Sequence, residues 1–260
     1  MNNTVQTVLT IAGSDPSGGA GIQADIKTFS AFEVYGMSVL TALTIGNTLG
    51  VTQIEMMTPD FVAGQIQAVR EDISSAAVKT GLLGNATIIE RVAMELENWR
   101  IPLVVDPVIA TKRGDVLLSE EGIEAYRSHL IPHADIITPN IAEAEQLAQI
   151  TISSYRAMPK AAEKLLSLGC HSVVVKGGHF DDWQHSNDLY YDGNELIWMK
   201  SKRLNTRHTH GAGDAFSAAI AACMARGMNR KPAAEAAKTY ISRGIEQAPG
   251  LGRGEGPIAF

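Results

Sequence analysis

The feature that most limits the fold is a repeated unit: a short apolar run that stops on a glycine or a polar residue and leads into a stretch with helical spacing. Residues 8–12 open the series and break at 13–21, a glycine-rich turn, after which Ile22, Ile26, Phe29 and Phe32 recur at helical intervals. The second run, 38–45, ends at Gly46-Asn47-Thr48-Leu49-Gly50, and Pro59 then opens a helix whose inward stripe is Phe61, Ile66 and Val69. Further runs follow at 76–81, 103–105 before Asp106-Pro107, 135–138 and 171–179, with helical patterns at 87–99, 161–168, from 215 onward and at 232–247. Residues 188–191 and 195–199 flank Asp192-Gly193-Asn194 and read as an antiparallel hairpin at one sheet edge. Strands alternating with helices along 260 residues, 45% of them apolar, imply an α/β fold. Its central sheet is mostly parallel and carries helices on both faces.

Several function classes drop out early. A net charge of −6 leaves no basic footprint for a nucleic acid. Cys170 and Cys223 lie far apart without metal-type spacing, so neither a disulfide framework nor a zinc site is expected, and a reducing cytoplasm fits. The apolar run at 8–12 has no basic flank and is too short for a signal or a membrane span. No repeat or linker divides the chain, so residues 1–260 are expected to form one domain.

The chemistry concentrates at Thr209-His210-Gly211-Ala212-Gly213-Asp214, which runs into a helix-forming stretch beginning Ala215-Phe216-Ser217. Two glycines let backbone approach a ligand, and the unpaired amides of a helix start favour an anion. A carboxylate beside a bound phosphate is repelled unless it has a task, such as taking the proton from a hydroxyl that attacks phosphorus. Helix capping by Asp214 is the other reading of the same residues.

Asp106 ends an apolar run, where parallel sheets gather ligands, and Lys112 follows in a loop. Asn140 and Glu143 form a capping-box pattern, a role compatible with holding a water-bound magnesium ion. Lys176 closes the run at 171–179, and burying it calls for an anionic partner such as a nucleotide phosphate. Asp25 is either a dipole-favoured acid early in a helix or a substrate contact, and His208 and His210 read as local hydrogen-bonding groups. The glycine-spaced tail at 251–258 is either a frayed end or a strap.

Together these pieces resemble the ribokinase-like superfamily, and more closely its hydroxymethylpyrimidine and phosphomethylpyrimidine kinase family of thiamine biosynthesis. The resemblance rests on the long block from Ala12 through Gly13 to Asp25, on Val105-Asp106-Pro107-Val108, Thr138-Pro139-Asn140, Lys176-Gly177-Gly178-His179 and Thr209 to Gly213, and on the tail. It implies ATP- and magnesium-dependent phosphorylation of 4-amino-5-hydroxymethyl-2-methylpyrimidine and then of its monophosphate. It also implies an anion hole at Gly211, Ala212 and Gly213, with Asp214 as base. Nucleotide contacts would come from Lys176, Lys112, Asp106 and Thr209, and magnesium would be held through water by Asp106 and Glu143. Gly13, Asp25, Gly46 and Asn47 would face the pyrimidine, and a homodimer is implied.

Two positions depart from the family's usual pattern. Asp214 stands where the pyrimidine kinases usually carry cysteine, and aspartate is the superfamily's commoner base. Gly46 stands where the family normally has glutamine or glutamate to bond the ring, a loss of about 1 to 3 kcal/mol unless replaced. Both departures keep a pyridoxal or pyridoxine kinase in view. A ligand sensor without catalysis is disfavoured by the intact Gly211 to Asp214 loop.

Overall fold

A computed structural model describes residues 5–110, 117–178 and 184–260. Lys112, expected over the nucleotide, lies outside the described residues. A nine-stranded sheet in the order β3-β2-β1-β4-β5-β6-β7-β8-β9 organises the rest. Its strands are β1 (Thr7–Ser14), β2 (Tyr35–Asn47), β3 (Gly50–Met56), β4 (Ala77–Thr80), β5 (Leu103–Val105), β6 (Ile136–Ile137), β7 (Val173–Val175), β8 (Asp188–Tyr191) and β9 (Leu196–Met199). The interior pairs from β2 to β7 are parallel. β8 and β9 form the expected antiparallel hairpin at one edge.

The other edge departs from expectation. β2 does not stop before Gly46 but runs on to Asn47, turns, and returns as β3 antiparallel to itself. Asn47 Oδ1 accepts from Leu49 N at 2.8 Å, which closes the turn. β3 was hard to see because Thr52, Gln53 and Glu55 make it polar on an exposed edge.

Helices α1 (Gly21–Ala31), α2 (Pro59–Asp72), α3 (Ala86–Leu96), α4 (Glu120–Ala125), α5 (Ile141–Ala148), α6 (Met158–Leu166), α7 (Ala212–Ala225) and α8 (Arg230–Glu246) cover both faces. In α2 the inward positions are Val62, Ala63 and Ile66, whereas Phe61 is 61% exposed. Thr58 caps the helix through Phe61 N, which turns Phe61 outward.

Strand alternation divides the interior into two cores. Leu9, Val78 and Val105 pack with α2 to α6 on one face. Val8, Ala77, Val104, Ile136 and Val174 pack with α1, α7 and α8 on the other. From Ala215 to Ala225 every residue of α7 is buried, so this alanine-rich helix lies against the sheet with no solvent face. Two residues beyond the five positions of that second core stand Thr10, Lys79, Asp106, Thr138 and Lys176. The period of two therefore puts five polar side chains on the α7 face at the carboxyl ends of the parallel strands.

Candidate active site

α7 starts at Ala212, two residues before its aspartate. Gly211 is the N-cap, at φ +75° and with no capping side chain, and Asp214 is the third helical residue. Asp214 is therefore not the cap, and the amides of the first turn head the helix without a side chain over them. Ala212 N donates to the carbonyl of Thr209 at 3.2 Å, which closes the turn into the helix. A side chain at Gly211 would overlap the carbonyl oxygen of Gly19, so only glycine lets the two loops touch. A Cβ on Gly213 would lie 3.4 Å from Lys176 Nζ and 3.9 Å from Asp106 Oδ2. The helix start and the polar strand ends thus share one space.

Asp106 is 3% exposed and fully engaged. Its Oδ1 accepts from Lys176 Nζ at 3.0 Å and Thr138 Oγ1 at 3.1 Å, and its Oδ2 accepts from Ser217 Oγ of α7 at 3.1 Å. Burial opposes the charge on Lys176, but Asp106 and Glu143 outweigh it and raise the lysine's pKa. Glu143 completes the capping box: Asn140 N donates to its Oε2 at 2.7 Å and Glu143 N donates to Asn140 Oδ1 at 3.0 Å. Burial pushes the Glu143 carboxyl up to about 7 against the pull of Lys176. Among the described residues no cluster of three or more His, Cys, Asp or Glu forms a ready metal cage. Asp106 and Glu143, each already bound to protein donors, are the carboxylates that would hold a magnesium ion through water.

The four expected substrate contacts lie in different settings. Gly13 is buried at the end of β1, with Leu82 Cδ2 3.1 Å from where a Cβ would stand. Asp25 has no accessible surface and lies beyond the first turn of α1, so the helix-dipole reading does not apply. Its carboxylate accepts from Lys79 Nζ at 2.8 and 2.9 Å and from Thr10 Oγ1 at 2.6 Å. Gly46 and Asn47 lie on the β2–β3 hairpin, where the Asn47 side chain closes its own turn.

The tail is a strap. Glu255 N donates to Thr48 O at 2.8 Å and His210 N to Gly256 O at 3.0 Å, while Ile258 is 1% exposed. It joins the hairpin to the loop before α7.

Sequence reasoning missed Lys79, Ser217 and the pairing of His210. His210 Nε2 lies 2.8 Å from Asp15 Oδ2, and the same carboxylate accepts from Ser17 N at 2.8 Å and Ala20 N at 2.9 Å. Burial alone would raise the Asp15 carboxyl, but the bonds from His210 and Ser17 hold it well below the usual carboxylate range. The glycine-rich turn is thereby tied to the loop that opens α7.

The sequence pattern described as phosphomethylpyrimidine kinase matches residues 15–259. The chain belongs to this family. A hydroxymethylpyrimidine/phosphomethylpyrimidine kinase of Bacillus subtilis is 44% identical, over 98% of this chain and 94% of its own length. Among solved structures, pyridoxal kinase from Staphylococcus aureus in complex with AMP-PCP superposes with a TM-score of 0.91 at 36% identity, covering 98% of this chain and 93% of that one. Phosphomethylpyrimidine kinase from Clostridium difficile gives 0.81 at 41% identity, covering 91% and 98%. The family member and the pyridoxal kinase thus share this fold over nearly its whole extent. No helix among the described residues is long and apolar enough to cross a membrane.

Proposed function

We propose that this chain is an ATP-dependent kinase that phosphorylates 4-amino-5-hydroxymethyl-2-methylpyrimidine and then its monophosphate, giving the diphosphate used in thiamine biosynthesis. The observation that carries the reading is the approach of Gly213 to Lys176 and Asp106 at an uncapped helix start, with Asp214 as the next residue. In this reading the backbone of Gly211, Ala212 and Gly213 receives the transferring phosphoryl group, with Thr209 at its margin. Asp214 takes the proton of the acceptor hydroxyl as that oxygen attacks the γ-phosphorus, and ADP leaves. Lys176 and Lys112 neutralise the nucleotide phosphates. Asp106 and Glu143 hold magnesium through water, and the ion supplies charge neutralisation of the phosphates when bound. Gly13, Gly46 and Asn47 border the ring.

The proposal extends to the whole chain, 1–260, acting as one cytoplasmic kinase domain and as a homodimer. Leu43, Ile45 and Val51 are 48%, 60% and 47% exposed on the edge hairpin, a surface that a second copy would cover. Sedimentation of the purified protein tests this directly.

Asp214→Asn is expected to keep ADP affinity and to lower turnover by about 10²- to 10⁴-fold, the usual range for losing a general base. Unchanged turnover removes Asp214 from the mechanism. A second reading, pyridoxal kinase, is favoured by the TM-score of 0.91 to that enzyme against 0.81 to the pyrimidine kinase. Comparing kcat/KM for the two alcohols decides between them.

A further inference from the structure

Lys79 is a charged side chain with no accessible surface, on the strand pair β1–β4. There the chain reverses its direction across the sheet, the usual place for a ligand crevice. A buried ammonium needs partners, and it has three carboxylates from three elements. Asp25 of α1 takes two contacts at 2.8 and 2.9 Å, and Asp214 of α7 places Oδ1 at 3.7 Å. Asp106, beyond β5, adds a more distant attraction. Thr10 Oγ1 of β1 donates to the same Asp25 oxygen, Oδ2, at 2.6 Å. Gly81 leaves room for the ammonium, since a Cβ there would come within 2.9 Å of Nζ.

This arrangement is poorly explained by stability. An enclosed lysine–carboxylate pair generally gains little over apolar residues of the same volume, because both ions must be desolvated. Nor does the pair contact solvent, as Lys79 and Asp25 are both 0% exposed. Of the carboxylates around Lys79, Asp214 is the most accessible, at 21%. The pair's main outlet is therefore the carboxylate beside the helix start.

We propose that Lys79 is a positioning residue for Asp214: pinned by Asp25 and Thr10 beneath the first turn of α7, its ammonium holds Oδ1 and leaves Oδ2 turned toward the acceptor hydroxyl. This rests on the reading of Asp214 as the base. Burial opposes the charge on Lys79, but Asp25, Asp214 and Asp106 outweigh it and raise the lysine's pKa, so the anchor stays cationic.

The test is a mutant cycle in the full-length enzyme. Asp25→Asn with Lys79→Met removes both buried charges together, so neither is left unpaired. With Asp214 present this double change is expected to lower kcat by about 10- to 100-fold and to leave KM for ATP within about threefold, as misplacement of a reacting group does. In an Asp214→Asn background the same change is expected to cost less than about threefold, because residues that act through one another are not additive. Equal losses in both backgrounds, or no loss in the first, overturn the positioning role alone. If Asp214→Asn itself leaves kcat unchanged, the base reading falls and this proposal with it. Should the double variant not fold, Thr10→Val, which removes only the hydroxyl on Asp25, carries the same cycle. Its expected loss is about 3- to 10-fold with Asp214 present and none without it, in the range of one hydrogen bond.

Discussion

Replacing Gly213 with alanine sets stability against activity. Gly213 is the second residue of α7 and is not among the glycines with positive φ, so alanine adopts its conformation without strain. The added methyl meets Lys176 Nζ at 3.4 Å and Asp106 Oδ2 at 3.9 Å, ordinary contact distances. Exchanging glycine for alanine in a helix is worth up to about 1 kcal/mol, and less near an end, so roughly 0.5 kcal/mol is expected. For a chain of this size that raises Tm by about 1 to 2 °C. A phosphoryl oxygen accepting from the first-turn amides must come to about 2.9 Å from nitrogen, a position the methyl crowds. A displacement of about 1 Å at the reacting centre costs about 10²-fold in turnover. The assay is ADP release with the pyrimidine alcohol, alongside thermal melting of the same preparation. Turnover within about threefold of the parent enzyme would refute the idea that a phosphoryl group passes over Gly213, however the melting point moves. Gly211→Ala is the control, for its side chain overlaps Gly19 and is expected to lower both quantities.

Asp15→Asn loosens the glycine-rich turn from His210, and is expected to raise KM for the alcohol about tenfold, the worth of one charged hydrogen bond. KM for ATP should change much less, and the reverse pattern in steady-state kinetics would contradict the assignment of that turn to the acceptor side. Glu143→Gln keeps the capping box but removes a charge, so half-maximal magnesium concentration is expected to rise about tenfold with the melting point nearly fixed. An unchanged magnesium titration speaks against Glu143.

Much of the fold was legible because apolar runs and helical spacing alternate so regularly. The helix at residues 87–99 is present as α3, with Ile88, Ile89, Val92 and Leu96 buried as its spacing required. β3 was not legible, since on this exposed edge Thr52, Gln53 and Glu55 leave only Ile54 and Met56 partly buried, too short an apolar pattern to read. In the site, Asp106, Glu143, Lys176 and the loop to Asp214 could be found because each follows an apolar run or a glycine pair. Lys79 was hidden inside its run, between Val78 and Thr80, where burial of a lysine is not anticipated. Counting two residues on from Ala77 puts it on the α7 face, but which face holds α7 is a property of the chain's path and not of any local stretch. The partnership of Asp15 with His210 spans 195 residues and leaves no local mark at all.

The strap has a consequence for the order in which the protein comes into being. Residues 255–258 bond to Thr48 and to His210, far upstream in the chain. A nascent polypeptide that has reached the end of α8 already possesses all nine strands of the sheet, but the backbone bonds from residues 255–258 that clasp the hairpin to the loop ahead of α7 form only once that segment is made.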